Sequence, residues 1–251
     1  MHPILLKLGP LTVYTYGVML AVAFTVSTWL AVRAARGMPP ERVAITPGQL
    51  WDFSSVALLG GIAGGRVFYV LLHWGWFLDS PQDVVAIWRG GLVWYGGFLG
   101  GLLAGWCYVR AKRLVYLRVL DQFIPFVALG HAIGRVGCFL NGCCYGRPTQ
   151  AWCGVVFPGQ SLPALPTQLI EAGGLLVLFV SLRKMAQRPW VLGRPGRLLG
   201  LYLVSYAGLR FVVEFLRGDQ VPIWAGLTLQ QLISLSLLVV GILLVFRNRV
   251  M

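Results

Sequence analysis

Six ionisable side chains stand inside or at the edge of apolar runs, where an unpaired charge costs roughly several kcal/mol: Asp52, Arg66, His131, Glu171, Arg210 and Glu214. Arg210 and Glu214 are four residues apart in YAGLRFVVEFLRGD, so they share a helical face and can pair, and Arg217 lies one turn beyond. That pair reads either as a salt bridge between packed helices or as part of a binding site, whereas Asp52, beside Trp51, reads as interfacial. The balance of sign favours a site. Arg66, Arg135, Arg147, Arg210 and Arg217 outnumber Glu171, Glu214 and Asp219, an excess of guanidinium that calls for an anionic ligand. The planar guanidinium fork suits phosphate oxygens, and a phosphate in a membrane cavity fits a phospholipid headgroup. His131, in ALGHAIGR, is four residues before Arg135 and shares its face, open to either a packing or a proton-transfer role. Tyr14, Tyr16, Tyr95, Tyr145 and Tyr206 add hydroxyls to the same region.

Cysteines supply the other possible chemistry. Cys138, Cys143, Cys144 and Cys153 fall within sixteen residues, and Cys107 stands alone in an apolar run. Three readings stay open: free packing thiols, a disulfide joining Cys143 or Cys144 to Cys153, and redox or metal chemistry. Zinc is poorly signalled, since neither C-x-x-C nor a nearby H-x-x-x-H occurs, and we expect no metal site and no cofactor.

The elements that position these groups are apolar throughout. With 57% hydrophobic and 12% charged residues and a mean hydropathy of +0.74, the chain reads as an all-α polytopic membrane protein. The net charge of +13 does not imply nucleic acid, because the arginines sit in small clusters between apolar runs. About 20 apolar residues are needed per crossing, and seven runs qualify: 13–32, 51–72, 91–109, 119–133, 167–182, 198–216 and 225–246. The fourth and fifth are short and flank GRVGCFLNGCCYGRPT. Fourteen of the Lys and Arg residues gather on one face, including Arg33, Arg110, Arg183, Arg197, Arg247 and Arg249, against Lys7, Arg89, Arg135, Arg147 and Arg217 on the other. The positive-inside rule then puts the N-terminus outside and the C-terminus in the cytoplasm. Only His2 and Lys7 precede the first apolar run and no small-residue cleavage site ends it, so that run is expected to stay in the membrane. GGIAGGR and YGGFLGG place small residues four apart, a helix-packing pattern. A single membrane domain with an external loop region at about 134–166 is expected.

The ordered motifs GGRVFYV, GGLVWYGGFLGG, GHAIGRVGCFLNGCCYGRPT, LPTQLIEA and YAGLRFVVEFLRGD resemble those of bacterial prolipoprotein diacylglyceryl transferases over nearly the whole chain. The resemblance implies transfer of a diacylglyceryl group from phosphatidylglycerol to the lipobox cysteine of a preprolipoprotein, with release of glycerol phosphate, at the bacterial inner membrane. The partners implied are phosphatidylglycerol, the preprolipoprotein signal peptide and the bilayer. By motif position it implies that Arg135, Arg210 and Glu214 are catalytic, and that Arg66, Tyr16, Asn141, Gly146, Glu171 and Tyr206 line the lipid cavity, with Arg217 and His131 adjoining. The family's proposed histidine base is replaced by Tyr95, which is counted with the catalytic residues; because a phenol is a weak base at neutral pH, its hydroxyl is expected to position lipid or thiol, with Tyr95 or His131 assisting proton transfer from the thiol. Cys138 and Cys143 stand where the family often has asparagine and glutamate. An anion transporter would show internal symmetry or paired broken helices, and a thiol oxidoreductase a properly spaced dithiol; neither pattern is evident.

Overall fold

The computed structural model describes residues 1–8, 11–218 and 220–247; Asp219 and Arg249, counted in the charge pattern, lie outside them. The described chain is mostly helical. Four helical stretches are long and apolar enough to cross a membrane, by length and composition: 15–36, 40–72, 116–141 and 229–246. The remaining long helices are α4 (Trp94–Ala111), α6 (Thr167–Met185) and α8 (Arg197–Glu214). Charge dilutes the apolar signal of two of them, Glu171, Arg183 and Lys184 in α6 and Arg197, Arg210 and Glu214 in α8; glycines and aromatics do so in α4.

The chain divides into two compact units, Met1–Ala31 with Leu120–Met251, and Val32–Val119. The first begins with an antiparallel hairpin, β1 (Ile4–Leu8) and β2 (Leu11–Tyr14). Strand therefore occupies the start of the first expected span, and the helix α1 (Thr15–Arg36) opens two residues later than expected. His2 N–H donates to the Leu140 carbonyl at 3.2 Å and Thr15 N–H to Pro3 O at 3.0 Å, which ties the hairpin to the end of α5 (Tyr116–Asn141).

Helix α5 corrects the sequence-based expectation. The expected short span at 119–133 is a 26-residue helix that runs through Pro125 and on to Asn141, so residues 134–141 are its last two turns and no part of a loop. Arg135 and the small residues Gly134 and Gly137 lower the hydropathy there without breaking the helix. Gly142 ends it at φ +78°, with Cys143 N–H on Cys138 O and Gly142 N–H on Phe139 O, both at 3.1 Å. This is the Schellman arrangement, in which a left-handed glycine satisfies the last carbonyls.

Helices α5, α6 and α8 pack around a core of Ile124, Ala128, Leu178, Leu182, Leu198 and Tyr202. Asp121 of α5 accepts from the backbone N–H groups of Gly196 (2.6 Å) and Leu199 (2.8 Å), which caps the first turn of α8 beyond the short helix α7 (Pro189–Leu192). The last helix, α9 (Leu229–Phe246), crosses α8 closely: a Cβ on Gly200 would lie 2.8 Å from Gly241 O.

The second unit is built on α2 (Pro47–Leu72) and α4, with a one-and-a-half-turn helix, α3 (Trp74–Asp79), after α2. The glycine motifs meet as their spacing predicts. A Cβ on Gly64 would come within 2.4 Å of Gly96 O, and one on Gly100 within 2.4 Å of Gly60 O, so the two backbones touch.

Candidate functional site

The first unit gathers Arg135, Glu171, Arg210 and Glu214 at one end, and the buried Arg197 lies at the other end of α8. The C-terminal half of α5, the first turns of α6, the last turn of α8 and the first turn of α9 all converge at the first of these ends, while the basic residues Arg183, Lys184 and Arg197 mark the other ends of α6 and α8.

Glu171 of α6 is the pivot, with its side chain 2% exposed. Its Oε1 lies 2.9 Å from Arg135 Nη2 and 3.8 Å from His131 Nε2, and it accepts from the Tyr206 hydroxyl at 3.2 Å. Its Oε2 lies 3.8 Å from Arg210 Nη1. Arg210 Nη2 in turn sits 2.7 Å from Glu214 Oε2, one helical turn on, as the i, i+4 spacing predicts. Glu214 Oε1 accepts from the Thr228 hydroxyl at 2.7 Å. That hydroxyl also accepts from Gln231 N–H at 3.3 Å, while Thr228 N–H donates to Gln231 Oε1 at 3.0 Å, the reciprocal box that starts α9. His131 packs its ring 5.0 Å from Tyr206, which stacks on Tyr202.

Two guanidinium groups and two carboxylates thus form one chain of contacts in a mostly buried site. Within the buried cluster the charges balance in sign; of the other arginines counted in the sequence, Arg147 is exposed on the loop, Arg217 follows α8 half-buried, and Arg66 belongs to the second unit. What the buried cluster offers an anion is directed donors. Arg135 Nε and Arg210 Nη1 are buried and make no hydrogen bond. Each arginine is held closely by a carboxylate on one nitrogen, and each has a second nitrogen without a hydrogen bond, that of Arg210 facing Glu171 Oε2 at 3.8 Å.

The segment after α5 folds tightly against this end. Thr167 Oγ1 donates to Cys144 O at 2.9 Å and Gln168 Nε2 donates to Cys143 O, so the first turn of α6 pins the cysteine carbonyls. Gly146 N–H bonds Leu165 O at 2.8 Å, and a Cβ there would meet Leu216 O at 2.6 Å and Thr167 Cγ2 at 2.8 Å. Close backbone approach thus excludes any larger residue. Asn141 closes α5, and Tyr16 lies on α1 beside Gly137, where a Cβ would come within 2.8 Å of Met19 Cβ and 3.6 Å of the Tyr16 ring. The cysteines are free thiols, and Cys138, Cys143 and Cys144 bring their sulfur atoms within 4.8 Å of one another.

Arg66 and Tyr95 lie in the second unit. Arg66 Nε donates to Val84 O at 2.8 Å, Nη1 to Gly90 O at 2.7 Å and Gly91 O at 3.1 Å, and Nη2 to Asp83 O, with the guanidinium 5.4 Å from the Tyr69 ring centre. It clasps the 81–91 segment. Arg66→Met is expected to lower unfolding stability by about 2–3 kcal/mol, read from thermal unfolding of the detergent-solubilised protein, because it leaves these carbonyls without their charged donor. Tyr95, in the first turn of α4, is 45% exposed beside Trp94. Asp52 accepts from the Tyr108 hydroxyl at 3.3 Å and joins α2 to α4.

A family profile described as prolipoprotein diacylglyceryl transferase matches residues 3–247. The chain belongs to the prolipoprotein diacylglyceryl transferase family. Among its relatives, the phosphatidylglycerol–prolipoprotein diacylglyceryl transferase of Cupriavidus metallidurans is 35% identical over 97% of this chain and 92% of its own length. Those of Vibrio atlanticus and Pseudoalteromonas atlantica are 36% and 37% identical, each over 96% of this chain and over 89% and 87% of their own lengths.

In this member of the diacylglyceryl transferase family, sequence reasoning missed Thr228, Gln168 and Asp121. A capping-box pattern, T-x-x-Q, marks Thr228 as a helix start but gives no sign of its bond to Glu214. Asp121 lay within an expected span and was the one signal there to follow, an acidic residue in an apolar run.

Proposed function

We propose that the protein transfers the diacylglyceryl group of phosphatidylglycerol to the lipobox cysteine of preprolipoproteins, forming a thioether and releasing glycerol phosphate. The observation that carries the site assignment is the pair of buried guanidinium nitrogens that make no hydrogen bond, Arg135 Nε and Arg210 Nη1, the latter with only Glu171 Oε2 at 3.8 Å, on groups fixed by Glu171 and Glu214. A phosphodiester seated against them accepts both donors. Charge builds on its bridging oxygen as the carbon–oxygen bond breaks, and fixed cations stabilise that developing charge without reorganising. The nucleophile is the substrate's thiolate, so no cysteine of this chain has to form a covalent intermediate.

Tyr206, His131 and Tyr16 flank the headgroup position, Asn141 and Gly146 shape its edge, and Arg217 contributes to substrate positioning. An apolar cleft of about 290 Å³ on α8 and α9, lined by Ala207, Phe211, Leu235 and Leu238, suits an acyl chain. Seven crossings, α1, α2, α4, α5, α6, α8 and α9, carry the N-terminus to the periplasm and the C-terminus to the cytoplasm of the inner membrane. The basic ends of α6 and α8 support this by marking the face opposite the charge cluster.

The test incubates purified protein with phosphatidylglycerol and a lipobox peptide. The expected product is the peptide with one diacylglyceryl group on sulfur, identified by mass, together with glycerol phosphate. A peptide with serine in place of cysteine is expected to give no product, and absence of a thioether from the cysteine peptide would refute the reading.

A further inference from the structure

Cys138, Cys143 and Cys144 are brought together by backbone geometry that their C-x-x-x-x-C-C spacing does not advertise. The Schellman turn at Gly142 folds the chain back over the last turn of α5. Cys144 adopts φ +65°, a left-handed conformation that costs a non-glycine residue about 1–2 kcal/mol, and Gln168 and Thr167 hold the carbonyls of Cys143 and Cys144. The result is three sulfurs within 4.8 Å of one another, with Cys143 and Cys144 Sγ atoms 3.7 Å apart. A disulfide needs about 2.05 Å. Three thiolates around one zinc, with bonds of about 2.3 Å, stand roughly 3.8 Å apart.

Cys138 is buried whereas Cys143 and Cys144 are half-buried, so the trio is closed on the helix side and open on another. Zinc sites with three protein ligands and an open position are the kind that act on a fourth ligand. Arg135 and Cys138 are three residues apart on α5 and share one face of it, and Tyr16 packs beside Gly137, which lies between them in sequence. This sets the trio beside the proposed phosphate site.

We propose that Cys138, Cys143 and Cys144 bind one zinc ion whose open position takes the incoming lipobox thiol. This rests on the transferase reading above, which requires a thiolate nucleophile. Coordination releases the thiol proton to water, because a metal-bound thiol is deprotonated. The zinc-bound sulfur then attacks the glyceryl carbon that carries the phosphate ester. The carbon–sulfur bond forms as the carbon–oxygen bond breaks, the electron pair leaves on glycerol phosphate, and the neutral thioether, a poor ligand, departs.

Cobalt(II) is the probe, added to zinc-free, full-length protein in detergent. The expected result is one cobalt per chain with thiolate-to-cobalt charge-transfer absorption, rising by about a third when lipobox peptide adds a fourth thiolate. The Cys138→Ser, Cys143→Ser, Cys144→Ser triple variant is expected to lose this absorption, and the Cys107→Ser, Cys153→Ser double variant to keep it. If the triple variant fails to fold, alkylation of the unmutated protein decides: zinc is expected to protect three thiols, and a chelator to expose them. No charge-transfer band, or equal alkylation with and without zinc, would overturn the site. Stripping zinc is expected to lower the transfer rate at pH 7 by about tenfold and to make it climb with pH as the free thiol ionises. A stripped enzyme with unchanged rate and pH profile would overturn the thiol-activating role. A peptide-responsive cobalt spectrum without turnover under any metal condition would support the site and overturn the transferase reading instead.

Discussion

Glu171→Gln is expected to lower unfolding stability by about 3–5 kcal/mol, the range seen when one partner of a buried ion pair is removed. Glutamine keeps the volume and the ability to accept from Tyr206, so packing changes little. The charge is what goes. Arg135 and Arg210 both lean on this carboxylate, at 2.9 and 3.8 Å, and without it Arg135 loses its one carboxylate contact while the two guanidinium groups lose the anion between them. Glu214→Gln is expected to cost less, because Arg210 keeps Glu171 nearby and Thr228 can still donate to the amide oxygen. Equilibrium unfolding of both variants in detergent gives the comparison. A loss below about 1 kcal/mol for Glu171→Gln would contradict its role as the pivot, since that is the level of an exposed pair.

The legibility of the site divides along a physical line. Arg210 and Glu214 were readable as a pair because four residues on a helix fix a geometry before any tertiary contact forms. The apolar runs were readable for the same local reason, as was the meeting of Gly64 and Gly100, whose missing side chains have little use except close approach. The membership of the family was legible from separated motifs in fixed order. Glu171 was legible as a site residue but not as the centre, since its partners come from α5 and α8, and only packing decides which charge stands between the others. The length of α5 was misjudged because hydropathy was read in place of helix continuity: Arg135 and the glycines around it lower the first without ending the second. The charge count is coarse for a related reason. A sum over the sequence treats all five arginines as available, whereas Arg66 is clasped to carbonyls of its own unit and Arg135 and Arg210 are already balanced by carboxylates. The cysteine trio was hidden because nothing in its spacing announces the turn that closes it.

Arg210→Lys separates charge from fork. Lysine keeps the positive charge that faces Glu214 and Glu171, so stability is expected to change by no more than about 1 kcal/mol. Its single ammonium cannot hold Glu214 and at the same time present a second donor in the position of Nη1, which in the arginine is buried and makes no hydrogen bond. If that donor meets the phosphodiester as charge develops on the leaving oxygen, its loss removes an interaction made chiefly in the transition state. The expected effect is a fall in kcat/KM of about 10²–10³-fold, the range for deleting one preorganised donor to a developing oxyanion. The fall should appear mainly in kcat, because a donor that served ground-state lipid binding would raise KM instead. Steady-state transfer to a lipobox peptide, measured against phosphatidylglycerol concentration beside thermal unfolding of the same preparation, reads both quantities. Full activity in the lysine variant would mean that Arg210 acts as a counter-ion to the two glutamates. A parallel loss of stability and activity would give it a purely structural part and leave Arg135 as the remaining candidate for holding the phosphate.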